Sequence, residues 1–386
     1  MREQIDISKH GKTVKRTFWG ATAFYLLIAF EFFYIASPFA VYFYSVYSPV
    51  LNFINNSSTF GWLIGYFMPH IIVETASPII NAHNIVGAVL AVMGFAGFII
   101  GASQVYYNKL KRKGIVTGGI YNYIRHPQYA SFILCSFGLV ILWPRYIVLF
   151  MFITMLFAYY LLAKIEEREC EEKFGQSYIE YKKKTGMFLP FKLCWNKKIS
   201  LLPNSKPGRI VAMLGIYCLA LVVSIGIART VNNYALNSIY AVYTKDSATI
   251  SVCKLEESKL EQIIEIALTN AEVKSLMDAT NEEQNVKYLN YVLPTEWYVA
   301  EIPMNGIGVN GYHRAPQDYN KFEYKVIFTK AEMRSKGNVT GKQIIQNLKR
   351  RESLVEVWVN LKEGKVIKVL DMSDQIMYKD IPVAIY

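Results

Sequence analysis

The stretch TGGIYNYIRHPQYASFIL, residues 117–134, sets an Arg-His-Pro triplet between two tyrosines at the doorstep of an apolar segment. Proline lacks an N–H and its φ is fixed near the helical value, so Pro127 suits the first turn of an entering helix. That helix covers 129–143 and stops at Pro144, and a second apolar run, 146–163, follows at once. So short a connection predicts a tight helical hairpin. A second polar segment, EERECEEKFGQSYIEYKKKTGMFLPF at 166–191, leaves the hairpin. A hairpin returns the chain to the side it entered from, so the two polar segments share one face and their side chains can meet.

Outward from the hairpin, the 386-residue chain is 53% apolar and 15% aromatic and carries a formal charge of +12. That apolar share is high for one soluble domain and indicates a membrane protein with a soluble part. The lysines and arginines sit mostly beside apolar runs, where they orient helices and meet anionic lipid, so nucleic acid is not the expected partner. Cys135, Cys170, Cys194, Cys218 and Cys253 show no CxxC or Cys/His spacing, so neither a metal site nor a disulfide framework is indicated.

A membrane span needs about 20 apolar residues. The runs 18–44, 85–106, 129–143, 146–163 and 210–228 predict a polytopic α-helical membrane protein with about five transmembrane helices. The first run reads as a retained signal anchor, being longer than the core of a cleaved signal peptide. A shorter run, FGWLIGYFMPHIIV at 60–73, is broken by Pro69 and reads as interfacial or re-entrant. Basic residues cluster at Arg2, Lys9, Lys12, Lys15 and Arg16, again at Lys109, Lys111, Arg112, Lys113 and Arg125, and throughout 164–209. Positive-inside orientation puts all three clusters in the cytoplasm, with the N-terminus, and puts everything after the last span outside it. A sixth span at 60–73 would place the second cluster on the wrong side.

Beyond Thr230 the pattern becomes that of a soluble α+β domain, giving a division into a membrane domain at 1–232 and an extracytoplasmic domain at 233–386. Leu260, Ile263, Ile264 and Ala267 recur at helical spacing, and Asn270 is placed to cap a following short helix. LVEVWVN, LKEG and KVIKVL predict a β-hairpin turning at Gly364, with Val355, Val357 and Val359 on one face. This hairpin resembles the strand pair of PepSY-type extracytoplasmic domains, in which a similar hairpin packs against a helix, and the location of the domain outside the cytoplasm motivates a sensory, chaperone-like or docking role.

Taken together, the two polar segments resemble the isoprenylcysteine carboxyl methyltransferase and phospholipid methyltransferase superfamily of membrane enzymes. The pattern G-x-Y, R-H-P-x-Y, helical hairpin, E-E, F-G-x-x-Y-x-x-Y is matched by Gly119, Tyr121, Arg125, His126, Pro127 and Tyr129, then by Glu166, Glu167, Phe174, Gly175, Tyr178 and Tyr181. The matched motif region is 85–191. Cys170 stands where the family has leucine, and Thr185, Gly186 and Met187 replace a basic residue before the final proline.

The resemblance implies an S-adenosylmethionine-dependent methyltransferase acting on a membrane lipid or a lipidated, prenyl-cysteine-like acceptor. Arg125 and His126 offer charge-assisted donors to the carboxylate of the methyl donor, and Glu166 and Glu167 offer acceptors to its ammonium or ribose. Tyr121, Tyr129, Tyr178 and Tyr181 are candidates to wall the pocket, since aromatic faces suit cations. Pro127 leaves neighbouring backbone N–H groups available to an anionic group. His126, Glu167 and Arg125 are the catalytic candidates, with His126 or Glu167 as base if the acceptor is an amine or thiol and none required if it is a carboxylate. Adjacent helical residues point about 100° apart, so only one of Glu166 and Glu167 is expected to touch the donor.

Alternatives remain. The acceptor can be a phospholipid amine or a small thiol on the same fold, a nicotinamide-dependent lipid reductase is conceivable, and the membrane domain can be a catalytically silent scaffold for the C-terminal domain. Glu31, an ionisable residue within the first apolar run, reads as facing the helix bundle. Asn338 and Thr340 form an N-x-T sequon, or simply a helix-capping segment.

Overall fold

The computed structural model describes residues 40–111, 114–190, 205–278, 286–299, 301–305, 318–335, 337–372 and 382–386, with a few positions between 19 and 29. In chain order the helices are α1 (Ala40–Asn55), α2 (Pro78–Asn81), α3 (His83–Leu110), α4 (Pro127–Leu142), α5 (Tyr146–Phe174), α6 (Gln176–Lys184), α7 (Lys206–Ser238), α8 (Glu257–Thr269), α9 (Ala271–Asp278) and α10 (Gln343–Asn347). The strands are β1 (Ala241–Tyr243), β2 (Ser247–Ser251), β3 (Lys287–Pro294), β4 (Glu323–Met333), β5 (Leu348–Asn360) and β6 (Lys365–Asp371). The chain divides into two compact units: residues 1–36, 83–144 and 148–227 form one, and 37–82, 145–147 and 228–386 form the other.

In the first unit α3 and α7 present apolar side chains outward, as lipid-facing helices do. Val86, Val89, Met93 and Ile100 on α3 and Ile210, Leu214 and Val222 on α7 are all exposed. Among the described residues, three helices are long and apolar enough to span a membrane: His83–Asn108, Tyr146–Phe174 and Pro207–Ser238. Helix α4 is apolar but has only 16 residues, about 24 Å at 1.5 Å per residue against a hydrocarbon core of about 30 Å. The expected count of about five helices is therefore not established. The first predicted span, 18–44, and Glu31 within it lie largely outside the described residues, and positions 40–44 belong to α1, which continues to Asn55.

Helices α3 and α4 approach until backbone meets backbone. A Cβ on Gly94 would lie 2.2 Å from the Cys135 nitrogen and 2.6 Å from the Ser131 carbonyl oxygen, and one on Gly138 would lie 2.4 Å from the Ala91 nitrogen. Gly87 and Gly101 lie one heptad either side of Gly94 and face Leu142 and Gln128. Lipid tails are as apolar as leucine, so spanning helices associate through such close packing rather than through hydrophobicity. Helix α5 is joined to α7 by Thr154, whose hydroxyl lies 2.8 Å from the Tyr217 hydroxyl, and by an edge-to-face contact of Phe157 with Tyr217.

The second unit is built on one six-stranded sheet in the order β1-β2-β3-β4-β5-β6. Neighbours are antiparallel except β2 and β3, which are parallel. Parallel strands need a crossover, and α8 and α9 supply it. Leu260, Ile263, Ala267 and Val273 of these helices pack against Val326, Phe328, Val355, Val357 and Val359. The Asn270 carboxamide accepts from the Glu272 and Val273 N–H groups, capping α9 as its sequence predicts. The β5–β6 hairpin turns through Gly364 with its three valines buried, also as predicted. Helix α10 has no side-chain cap, so Asn338 does not serve that purpose.

The apolar run at 60–73 corrects its sequence reading. Only Gly61–Ile64 is helical, as one 3-10 turn, and Phe67, Met68, Ile71 and Ile72 are buried inside the second unit. His70 donates its N–H to the Tyr386 carbonyl and Val73 donates to the Val252 carbonyl, at 2.7 and 3.0 Å. Phe67, Met68, Ile71 and Ile72 pack on protein, so the apolar character of the run does not require a bilayer.

Gly94→Leu should prise α3 from α4, because the new side chain meets backbone rather than a flexible side chain. Overpacking of this kind costs about 1–3 kcal/mol, and thermal unfolding in detergent should show a lowered Tm with Gly215→Leu, whose Cβ position is open, as the tolerated control.

Candidate active site

Two local devices bring the polar segments together. Gly119, at φ 62°, opens the 3-10 turn Gly119–Asn122, and a Cβ there would strike the Gln104 carboxamide of α3. The turn directs Tyr121 inward, where it is buried. At the far end of α5, Gly175 takes φ 58° and ψ −133°, a conformation closed to most L residues. The chain breaks there and α6 doubles back, burying Tyr178 and bringing the Tyr181 hydroxyl 2.6 Å from the Tyr121 carbonyl oxygen, to which it donates.

The returning chain then pairs with the motif through its backbone. Arg125 donates its N–H to the Gly186 carbonyl at 2.9 Å, His126 donates to the Met187 carbonyl at 3.1 Å, and Gly186 donates to the Tyr123 carbonyl at 3.3 Å. Thr185, Gly186 and Met187, which depart from the family pattern, thus form a short parallel bridge with the residues flanking Ile124.

At the centre lies Glu167, with 1% of its side chain exposed. Arg125 Nε donates to it at 2.7 Å and Lys182 Nζ lies 2.9 Å from its second oxygen. Arg125 Nη1 also donates to the Lys182 carbonyl at 3.1 Å and to the Thr185 carbonyl. Lys182 bridges onward to Glu171 at 2.6 Å. The two glutamates of the pair therefore do different things. Glu166, a third exposed, accepts a 2.5 Å hydrogen bond from the Tyr129 hydroxyl and faces a cavity of about 440 Å³. This size falls within the range of small-molecule sites.

The cavity is lined by Tyr121, Arg125, His126, Tyr129, Glu166, Tyr178 and Tyr181 from the predicted set. Glu167 and Pro127 stand outside the lining: Glu167 behind Arg125, Pro127 opening α4. Glu169, Cys170 and Lys173 of α5 and Ile115 of the loop after α3 are among the other wall residues.

His126 sits between the carboxylates, Nδ1 3.4 Å from Glu166 and Nε2 3.7 Å from Glu167, the latter an electrostatic contact beyond hydrogen-bond range. Its ring stacks on Tyr129 at 5.5 Å and 1°, and Tyr129 stacks in turn on Tyr159 at 4.7 Å and 7°. Burial alone pushes the imidazole pKa down, but the attraction of the Glu166 and then the Glu167 carboxylate outweighs it and holds the value above the ordinary 6.5. Burial pushes Tyr181 up to about 12 and Tyr121 and Tyr178 higher still. The phenols therefore remain protonated hydrogen-bond donors. Lys182 is also raised, its burial outweighed by Glu167 and Glu171.

Sequence reasoning missed Lys182 and Tyr159. Lys182 is one of three consecutive lysines that read as a membrane-side anchor, and nothing local distinguishes it. Tyr159 lies seven residues before Glu166, two helical turns down one face, a spacing that was available to be read.

Removing one partner of a buried ion pair costs roughly 3–5 kcal/mol, because the other charge is stranded. Glu167→Ala should therefore lower Tm sharply, whereas Lys182→Ala, at a third-exposed position, should cost under about 1 kcal/mol; equal losses would refute the ranking. The imidazolium of His126 is the form that faces two carboxylates. Its stabilisation is fully present below a pH of about 6.5 and is lost as pH rises through the raised folded value. The Tm gap between wild type and His126→Gln should shrink on going from acid to alkaline buffer, and a gap that widens would contradict this assignment.

A family model described as phospholipid methyltransferase matches residues 82–177. Protein-S-isoprenylcysteine O-methyltransferase of Saccharomyces cerevisiae is 31% identical over 118 residues, covering 28% of this chain and 49% of the relative. The chain thus spans about half the length of that curated relative. No solved structure matches the chain. Residues 82–177, which supply most of the cavity lining, are thus similar to phospholipid methyltransferases and to this isoprenylcysteine O-methyltransferase.

Proposed function

We propose that the chain is a membrane methyltransferase using S-adenosylmethionine, and that its acceptor is a lipid-like or prenyl-cysteine-like molecule. The observation that carries this reading is the convergence of both motif segments on one cavity whose wall offers two carboxylates, an ammonium, a guanidinium, an imidazole and four tyrosines. This donor set suits the bound group, which presents a carboxylate, an ammonium and a sulfonium. When bound, S-adenosylmethionine supplies an electrophilic methyl group.

Each residue's part follows from its position. Glu166 is the cavity-facing carboxylate and accepts from an ammonium or a ribose hydroxyl. His126, as imidazolium, offers charge-assisted donation to a carboxylate. Arg125 keeps one terminal nitrogen beyond those engaged with Glu167, Lys182 and Thr185 and is placed to assist it. Tyr121, Tyr129, Tyr178 and Tyr181 wall the site, their faces favourable to a cation. Glu167 and Pro127 act as positioning residues, Glu167 by fixing Arg125 and Lys182, Pro127 by starting α4 at His126. The raised pKa of His126 favours an acceptor that needs no base, such as a carboxylate. An amine or thiol acceptor requires His126 to lose its proton first. The basic clusters support a donor site facing the cytoplasm and a C-terminal domain outside it.

Calorimetric titration of the detergent-purified protein with S-adenosylhomocysteine tests the reading. Saturable binding is expected, with Glu166→Gln and His126→Ala each weakening it by about tenfold or more, the worth of one charge-assisted hydrogen bond. Absence of binding by folded protein supplied with lipid would favour the silent scaffold.

A further inference from the structure

A second cavity, of about 260 Å³, lies within the second unit and owes nothing to the methyltransferase motifs. Its polar lining is cationic and amidic: Arg229, Arg334, Asn232, Asn233 and Gln346, beside Trp62 and Tyr146, with no aspartate or glutamate. The sequence explains how Arg229 arrives there. The apolar run of α7 ends at Ala228, and Arg229 is the first charge after it. Its guanidinium lies 5.7 Å from the Trp62 ring centroid and, among the described residues, forms no ion pair. Arg334 follows β4 and is held by neutral groups, donating Nη1 to the Asn55 carbonyl at 3.1 Å and Nη2 to the Asn55 side-chain oxygen.

Two guanidinium groups at one cavity without a carboxylate are electrostatically incomplete. Burial disfavours the charge on Arg334, which the carboxylate of Glu332 offsets only in part. An anion in the cavity would relieve that cost, and the planar guanidinium fork suits phosphate oxygens. A third donor stands ready: the Asn233 side-chain oxygen accepts from Gln346 Nε2 at 3.0 Å, which leaves the Asn233 amide nitrogen to donate elsewhere. The volume lies just below the usual small-molecule range of about 300–1,000 Å³, so it suits a headgroup-sized anion rather than a nucleotide.

We propose that this cavity binds a phosphate-type anion through Arg229, Arg334 and Asn233, and that its source is the headgroup of a membrane phospholipid. Lipid is favoured over a soluble anion because Tyr146 opens one span and Arg229 closes the apolar run of another. Tyr and Arg at the ends of apolar runs sit at the depth of the headgroups. The inference does not depend on methyl transfer.

The test follows Tm of the full chain in a non-ionic detergent while short-chain phosphatidylglycerol, short-chain phosphatidylcholine or inorganic phosphate is added. Among the described residues Arg229 lies over the Trp62 ring and acts electrostatically on Tyr146 but has no ion pair to break, so Arg229→Gln should fold, with Arg229→Lys as the charge-retaining partner and circular dichroism as the check on folding. The expected result is a saturable rise of Tm with phosphatidylglycerol, its half-saturating concentration raised about tenfold or more in Arg229→Gln and partly restored in Arg229→Lys. An equal response to inorganic phosphate, with the same dependence on Arg229, would keep the anion site and assign it to a soluble ligand. No saturable shift with any of the three, or identical curves for wild type and Arg229→Gln, would overturn the proposal.

Discussion

The first unit depends on one buried carboxylate. Glu167 sits on a membrane-crossing helix with 1% of its side chain exposed, where an uncompensated charge would cost several kcal/mol. Its compensation comes from Arg125 and His126 ahead of α4 and from Lys182 on α6. These groups come from segments on either side of the hairpin, so satisfying Glu167 requires the chain to have turned at Pro127, run through α4 and α5 and doubled back at Gly175. Arg125 then passes the constraint on to the carbonyls of Lys182 and Thr185. With Glu167 directed inward, the 100° step of the helix turns Glu166 to the cavity, which separates a structural carboxylate from one free to meet a ligand.

Much of this arrangement was legible. The hairpin, the return of both polar segments to one face and the split between the glutamates all follow from helix geometry applied to 117–134 and 166–191. The part played by Lys182 was not legible, because a run of three lysines after Tyr181 has one evident use, as a membrane-side anchor, and only the direction of α6 selects one of them. The close approach of α3 and α4 is written in the heptad of Gly87, Gly94 and Gly101, but glycines at that spacing do not name the partner helix. Thr185, Gly186 and Met187 looked like a gap in the site. They contribute through backbone N–H and carbonyl groups, which no side-chain pattern records.

In the second unit, alternation and capping signals worked where local rules govern: the valines of β5, the turn at Gly364, the Asn270 cap. They failed at 60–73, since hydropathy measures the loss of water and is blind to whether lipid or protein replaces it. Ile71 and Ile72 are as apolar as span residues, yet they are buried beside the chain of 382–386, about 310 positions away in sequence, a pairing that local reasoning cannot reach.

The charge balance of the first cavity bears on the chemistry proposed for it. Arg125, His126 and Lys182 are matched by Glu166, Glu167 and Glu171, and the additional wall residues Glu169 and Lys173 are again one of each sign. A site so balanced exerts little net field, although its individual groups are strong and directed. Methyl transfer from a sulfonium to an anionic acceptor consumes charge of both signs, so a strong net field of either sign would hold back one reactant as charge disappears. Paired charges avoid that penalty while still supplying donors and acceptors at fixed positions. The same pairing raises the pKa of His126, because both carboxylates favour the imidazolium. The residues around this cavity therefore supply fixed donors and acceptors that can hold and align two partners.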